Sequence, residues 1–407
     1  MGASWFAWPV LGSLAALRRR TILRRTTVVA VVGSYGKTTT TRAVAAALGL
    51  GEQPERGNSW SYLAWSVLRH RVGSPLVIEV GISRPGQMRA YARMLRPDLV
   101  VVTSVGGEHR ISLDGIETAQ REKSRMVSGL APGGVAILNG DDDLVEGMAP
   151  LAPGRVVRFG LREGNDVRAV RVRVDWPRGT AFALTGPRLE LAAQVGLVGT
   201  HSLGAALAAV AVARELGIPP ETIVDRLSAV TPTPGRMQPV LLPSGAILLR
   251  DDFKSGFETI LMALETLAEI PALRRIAAFG DISEPEGPQR EVYQRLGERT
   301  ASVASRILYV GHKFGPLANG ARQRGLARGN VTAHTDVHAL AEALRKELRA
   351  GDVVLLKGRI DQKLGRAALI LSGRPVKCTI RSCRAVLIRC EVCPLLEAGW
   401  GTRRPVT

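Results

Sequence analysis

Along residues 27–140 the apolar positions alternate between two periods. Val28–Val32, Leu76–Val80, Leu99–Thr103 and Val135–Asn139 are short runs of consecutive β-branched or aliphatic residues, the pattern of strands buried on both faces. Between them, residues 39–48, 86–95 and 118–130 place apolar side chains every three or four positions, as amphipathic helices do. Strand and helix in alternation predict an open, mostly parallel α/β sheet. The period changes over residues 155–198, where Val170-Arg-Val-Arg-Val174 and Ala181–Leu184 predict antiparallel strands. An alanine-rich helix over 202–216 follows, and Pro219-Pro220 opens another.

Thr231-Pro-Thr-Pro-Gly235 breaks the pattern and predicts a domain boundary. Beyond it Ala246–Arg250, Arg275–Phe279, Arg306–Val310 and Val353–Leu356 are strand-like, separated by helices over 258–268, 288–303 and 335–349. This predicts a smaller, Rossmann-like α/β domain. The expected organisation is an N-terminal apolar and basic helix (1–26), a central domain (27–236), a C-terminal domain (237–373) and a cysteine-bearing tail (374–407).

Candidate chemistry concentrates where the first strand ends, at Gly33-Ser34-Tyr35-Gly36-Lys37-Thr38-Thr39. Strand, glycine turn, Lys-Thr and helix make a phosphate cradle, so the central domain is P-loop-type. Backbone N–H groups of the turn and the helix N-terminus face the anion, Lys37 reaches terminal phosphates, and the Thr38 hydroxyl can ligate Mg²⁺. Only two residues separate the glycines, where the general P-loop has four. Glu79 ends another strand of the same sheet, where open α/β sheets gather ligands. A carboxylate on an apolar strand is costly to bury without a partner, and oxygen donors suit Mg²⁺.

The shortened GxxGKTT loop resembles that of the Mur ligase superfamily, which joins acids to amines at the expense of ATP. Further landmarks extend the resemblance over about residues 27–372, and they are most similar to its D-alanyl-D-alanine-adding branch. Glu79, in Val77-Ile-Glu-Val-Gly81, stands where the family binds Mg²⁺. His109, in Gly106-Gly-Glu-His109, stands where a histidine ligates a second metal, and Lys123 where a carbamylated lysine helps hold Mg²⁺. Asn139 and Asp141 match an N-x-D element near the nucleotide, and His201 a G-x-H element opening a helix. Arg236 closes Pro234-Gly235-Arg236, Asp252 ends the Asp-Asp pair, and Lys357 lies in Leu356-Lys-Gly-Arg359. Two segments depart from the family pattern. Asp251-Asp252 continues Phe-Lys-Ser-Gly where the family has S-Y-N-A, and Ser202 and Ala205 replace two asparagines.

The resemblance implies an ADP-forming carboxylate–amine ligase that works through an acyl phosphate on small-molecule or peptide acids and amines. Lys37, Glu79, His109, Lys123 and Arg236 would carry the chemistry. Gly33, Ser34, Gly36, Lys37, Thr38, Thr39, Asn139, Asp141, His201, Asp252 and Lys357 would hold ATP, with Thr38, Glu79, His109 and Lys123 on Mg²⁺. Peptidoglycan precursor synthesis in the cytoplasm is the implied setting. The cradle begins at residue 33, without the UDP-sugar-gripping domain that precedes it in the peptidoglycan enzymes. A folate- or poly-γ-glutamate-type ligase acting on a non-UDP substrate therefore stays open, as does an ATP-binding scaffold with decayed catalysis.

Composition adds three points. The net charge of +19 suits polyanionic substrates or membrane surfaces, but no dense basic block occurs outside residues 18–25, and no nucleic-acid partner is expected. Ala3–Leu17 is apolar and leads into Arg18-Arg19-Arg20 and Arg24-Arg25. It is shorter than the about 20 residues that span a bilayer, and its charge follows the apolar run, unlike a signal peptide's. Peripheral membrane contact through residues 3–25 and packing on the first domain both fit. Finally, Cys378-x4-Cys383-x6-Cys390-x2-Cys393 has the content of a structural zinc knuckle.

Overall fold

The computed structural model describes residues 8–51, 57–107, 115–385 and 388–399. The chain divides into two compact units, Met1–Thr231 and Pro232–Thr407.

Among the described residues, the first unit is built on an eight-stranded sheet in the order β2-β1-β3-β4-β5-β6-β7-β8. These are β1 Val28–Val32, β2 Leu76–Glu79, β3 Leu99–Val102, β4 Val135–Asn139, β5 Arg155–Gly160, β6 Val167–Asp175, β7 Gly179–Gly186 and β8 Leu189–Val195. β1 to β6 run parallel, and β6, β7 and β8 pair antiparallel. The antiparallel expectation for residues 155–198 thus holds from β6 onward, whereas β5 extends the parallel part.

Every residue of β1 is buried because helices cover both faces. Val28, Ala30 and Val32 enter one core with helices α1 (Trp8–Arg20), α3 (Trp60–Arg69), α4 (Gln87–Leu95) and α5 (Ile116–Val127). Val29 and Val31 enter the other with α2 (Lys37–Ala47), α7 (Leu203–Glu215) and α8 (Pro220–Ser228); the one-turn α6 (Asp143–Glu146) follows β4. Helix α7 is apolar all round and its residues Ala205–Ala213 are all buried. Helix α3 was not foreseen, although Trp60, Leu63, Ala64 and Val67 recur at i, i+3, i+4 and i+7; that face packs under α1.

The second unit has a six-stranded sheet among its described residues, ordered β13-β12-β11-β14-β10-β9. Its strands are β9 Gln238–Leu241, β10 Ile247–Asp251, β11 Arg274–Phe279, β12 Arg306–Tyr309, β13 Val331–Ala333 and β14 Asp352–Lys357. Only the edge strand β9 runs antiparallel. Helices α9 (Phe257–Glu269), α10 (Gln289–Ala301), α11 (Phe314–Gln323), α12 (Val337–Glu347) and α13 (Gly365–Leu371) separate or follow them.

Candidate active site

In the first sheet the chain goes from β1 to its neighbour β2, then crosses back to β3 on the other side of β1. Such a reversal leaves a crevice beyond the carboxyl ends of the strands, and β1 and β3 end there. Gly33 follows β1 with φ 153°, and a Cβ on it would lie 1.9 Å from Thr103 Oγ1. No side chain fits. At Gly36 a Cβ would meet only ordinary contacts, 3.9 Å from Thr103 Cβ and 4.0 Å from Thr40 Oγ1, but the backbone is left-handed at φ 78°, and α2 starts at Lys37 rather than at Thr39. Lys37 and Thr38 thereby occupy the first helical turn.

The loop is tied down before any ligand arrives. Ser34 N donates to Ser104 O at 2.9 Å, and Tyr35 N donates to Ser104 Oγ at 2.9 Å. Ser34 Oγ donates to Gly106 O and accepts from Gly106 N at 2.9 Å. The N–H groups of Ser34 and Tyr35 are thus spent on the scaffold. Lys37, Thr38 and Thr39 form the first turn of α2, ahead of its first helical bond, Thr40 N to Gly36 O at 2.9 Å. Lys37 Nζ curls over its own loop, donating to Gly33 O at 2.8 Å and Ser34 O at 2.9 Å.

Thr38 Oγ1 donates to Glu79 Oε2 at 2.7 Å, so the last residue of β2 meets the first turn of α2. The other carboxylate oxygen accepts from Asn58 Nδ2 at 2.8 Å. Asn58 was missed in the sequence. It lies in a loop with no motif around it, and its one local trace is Gly81, where a Cβ would lie 2.6 Å from the Asn58 amide. Two hard oxygen donors at the head of a phosphate cradle fit Mg²⁺.

Lys123, on α5, is only 4% exposed, with Lys37 and Asp142 as its charged neighbours. Burial, reinforced by Lys37 and opposed by Asp142, pushes its ammonium down to about 8. Asp142 also accepts from Val105 N and caps α6. Asn139 donates to Thr103 O at 2.9 Å and so joins the ends of β3 and β4. Both oxygens of Asp141 are engaged by Leu161 N, Arg162 N and Asn165, so it organises the β5–β6 connection. His201 sits half-buried in a short turn before α7. His109 lies outside the described residues.

The second unit gathers its predicted residues at the carboxyl ends of β10 and β14. Lys357 is 1% exposed and pairs with Asp251, its register partner across the two strands. Its ammonium also donates to Lys254 O at 2.9 Å. Arg250 grips Asp252, Nε to Oδ1 at 3.0 Å, and Arg236 lies over the Phe253 ring at 4.2 Å. Arg250 Nη1 also donates to Glu391 of the tail at 2.6 Å. Pro234, Gly235, Asp252, Phe253, Arg389 and Glu391 face one small cavity, so the tail contributes to the end of the sheet where the predicted residues lie.

Residues 31–213 match the Mur ligase middle domain, and residues 235–360 the Mur ligase glutamate ligase domain. The chain is 30% identical over 367 residues to the UDP-N-acetylmuramoyl-tripeptide–D-alanyl-D-alanine ligase of Mycobacterium tuberculosis H37Rv, covering 84% of this chain and 72% of that one. The chain belongs to the Mur ligase family. The Escherichia coli K12 protein of the same name is 29% identical over 315 residues, 74% of this chain and 67% of its own length. In fold it is similar to MurF from Acinetobacter baumannii, with a TM-score of 0.79 at 23% identity over 90% of this chain and 81% of that one. Folylpolyglutamate synthase of M. tuberculosis, complexed with ADP, shares the fold with a TM-score of 0.68 at 15% identity, over 91% of this chain and 95% of that one.

As a Mur ligase, the protein is an ATP-dependent, ADP-forming enzyme that makes an amide bond, using ATP and Mg²⁺. The scaffold alternative gives way to this assignment. The zinc expectation does not survive the structure. Among the described residues no set of three or more His, Cys, Asp or Glu is arranged to hold a metal. The four cysteines are free and line one small cavity that they share with Lys363 and Arg366. Arg366 Nη1 donates to Cys378 O at 2.8 Å and approaches Cys378 Sγ at 3.4 Å, while Lys363 Nζ holds Ala385 O and Ile388 O. Two cations beside the sulfurs repel a third. Burial pushes the Cys390 thiol up to about 11, away from the thiolate that zinc requires.

Proposed function

We propose that this Mur ligase acts in peptidoglycan precursor synthesis, joining the carboxylate of a UDP-linked peptide to the amine of a D-alanyl dipeptide. The relatives' shared activity supports the substrates. The observation that carries the chemistry is the Thr38–Glu79 pair at the head of the Lys37 cradle. The substrate carboxylate attacks the γ-phosphorus of ATP; the bond to the β–γ bridging oxygen breaks and ADP leaves. The amine nitrogen then bonds to the acyl carbon, phosphate departs with the carbon–oxygen bond, and the amine loses a proton. Mg²⁺, held by Thr38 and Glu79, would neutralise phosphate charge. Lys37 would swing from its loop carbonyls to the phosphates, and the first turn of α2 would hold them. Lys123, with its lowered basicity, would take up CO₂ as its amine loses a proton, becoming a carbamate beside Lys37. Arg236, Asp252 and Lys357 would serve the same reaction from the second unit, and His109 and His201 from the first. ATP consumption and four free cysteines suit the cytoplasm, a reducing compartment.

The test is ADP release with Mg-ATP, UDP-N-acetylmuramoyl-tripeptide and D-alanyl-D-alanine, beside Lys37→Ala. Turnover should fall at least about a hundredfold in the variant, because a charge aimed at the transferring phosphoryl group is lost. Undiminished turnover would refute the cradle. No turnover with these substrates, but ADP release with another acid and amine, would transfer the enzyme to a non-UDP substrate.

A further inference from the structure

Helix α1 is seated firmly by its inner side. Trp8 stands edge-on to Trp60 at 5.8 Å and to Tyr91 at 5.3 Å. Arg18 donates to Val67 O and His70 O at the end of α3, and Arg19 to Leu95 O and Asp98 at the end of α4. The helix therefore lies against both α3 and α4. Its outer side is apolar: Val10 is 64% exposed, Leu14 49% and Leu17 58%, and Ile22 beyond the helix is 55% exposed. At about 100° per residue the three helical side chains form one ridge, with Arg18 and Arg20 about 80° to either side. On α3, Tyr62 and Trp65 are also exposed.

The charge on these three helices is of one sign. Helices α1, α3 and α4 contain no aspartate or glutamate, and they carry Arg18, Arg19, Arg20, Arg69, Arg89 and Arg93. Arg20, Arg69, Arg89 and Arg93 are exposed, as are Arg24 and Arg25 just past α1. An apolar ridge lined by arginines, on three helices without a carboxylate, complements a surface that is anionic outside and apolar just beneath.

We infer that the α1–α3–α4 layer docks on an anionic lipid bilayer, lying in its interface rather than crossing it. No described helix is long and apolar enough to span a membrane. Val10, Leu14, Leu17 and Ile22 enter the boundary between headgroups and acyl chains, Tyr62 and Trp65 lie at headgroup level, and the exposed arginines meet lipid phosphates. A nucleic acid would use the arginines but leave the ridge in water.

The test is sedimentation of the full chain with phosphatidylcholine vesicles, with and without phosphatidylglycerol. Binding should require the anionic lipid. Leu14→Gln with Leu17→Gln should abolish it while ADP release stays at the wild-type rate, since both side chains already face water. Arg24→Gln with Arg25→Gln should weaken it about fivefold per arginine. No binding to anionic vesicles, binding that survives Leu14→Gln with Leu17→Gln, or self-association of the lipid-free protein through the same ridge would each overturn the inference. Because the readout is sedimentation, it succeeds or fails apart from the substrate assignment.

Discussion

Replacing Lys123 with methionine should stabilise the ligand-free enzyme. The side chain is 4% exposed, and its ammonium is lowered from 10.5 to about 8 by burial and by Lys37. A drop of about 2.5 units is worth about 3 kcal/mol at roughly 1.4 kcal/mol per unit. The folded value lies below the unfolded one, so the unfolded chain holds this proton more tightly. Below pH 8 both states are protonated and the full cost weighs against folding. The cost shrinks as pH rises from about 8 towards 10.5 and vanishes above. Methionine is similar in length and uncharged, so it removes the charge while keeping most of the packing. Urea denaturation should show the variant more stable by about 3 kcal/mol at pH 7, falling to about 2 kcal/mol at pH 9. A variant no more stable than the wild type at pH 7, or a gain that ignores pH, would refute a buried, charge-repelled lysine. The same variant should lose ligase activity. At pH 7.5 a lysine titrating near 8 is about one quarter neutral, against about one part in a thousand for an ordinary lysine, and only the neutral amine takes up CO₂. Added bicarbonate should therefore raise wild-type turnover and leave the methionine variant unchanged.

Two further perturbations test contacts that no motif announces. Asn58→Ala removes one of the two hydrogen bonds holding Glu79 and should raise the Mg²⁺ concentration needed for half-maximal ADP release about tenfold, the lower value of one hydrogen bond to a charged group; an unchanged Mg²⁺ requirement would leave Asn58 as loop structure only. Glu391→Ala leaves Arg250, whose side chain is 8% exposed, with Asp252 as its remaining carboxylate, and should lower stability by about 2 kcal/mol in urea denaturation. A change within a few tenths would show that the tail is not clamped there.

The parts legible along the chain were those whose signal is local. Four consecutive apolar runs became β1 to β4 nearly to the residue, because burial on both faces of a sheet is written as unbroken apolar sequence. Gly33, Gly36, Lys37 and Thr38 could be read together because a strand, glycine turn and helix start need those residue types at fixed offsets, and the structure has that turn. Glu79 was legible as a carboxylate at the end of an apolar strand. Helix α3 was missed although its apolar residues Trp60, Leu63, Ala64 and Val67 keep a helical period, because aromatic and β-branched residues there weaken the propensity signal.

Sequence alone thus determined the parallel strand-and-helix alternation around β1 to β4, the strand–turn–helix at Gly33–Thr39 and the class of reaction. Tertiary structure decided what those residues meet: Asn58 on Glu79, Asp141 turned to its neighbouring strand connection, Glu391 on Arg250, and cations rather than metal beside the cysteines. It also decided that Lys123 is buried next to Lys37, which lowers the basicity of its amine. The division has one physical cause. Backbone pattern depends on neighbours along the chain, whereas desolvation and charge pairing depend on groups brought together from far apart in it.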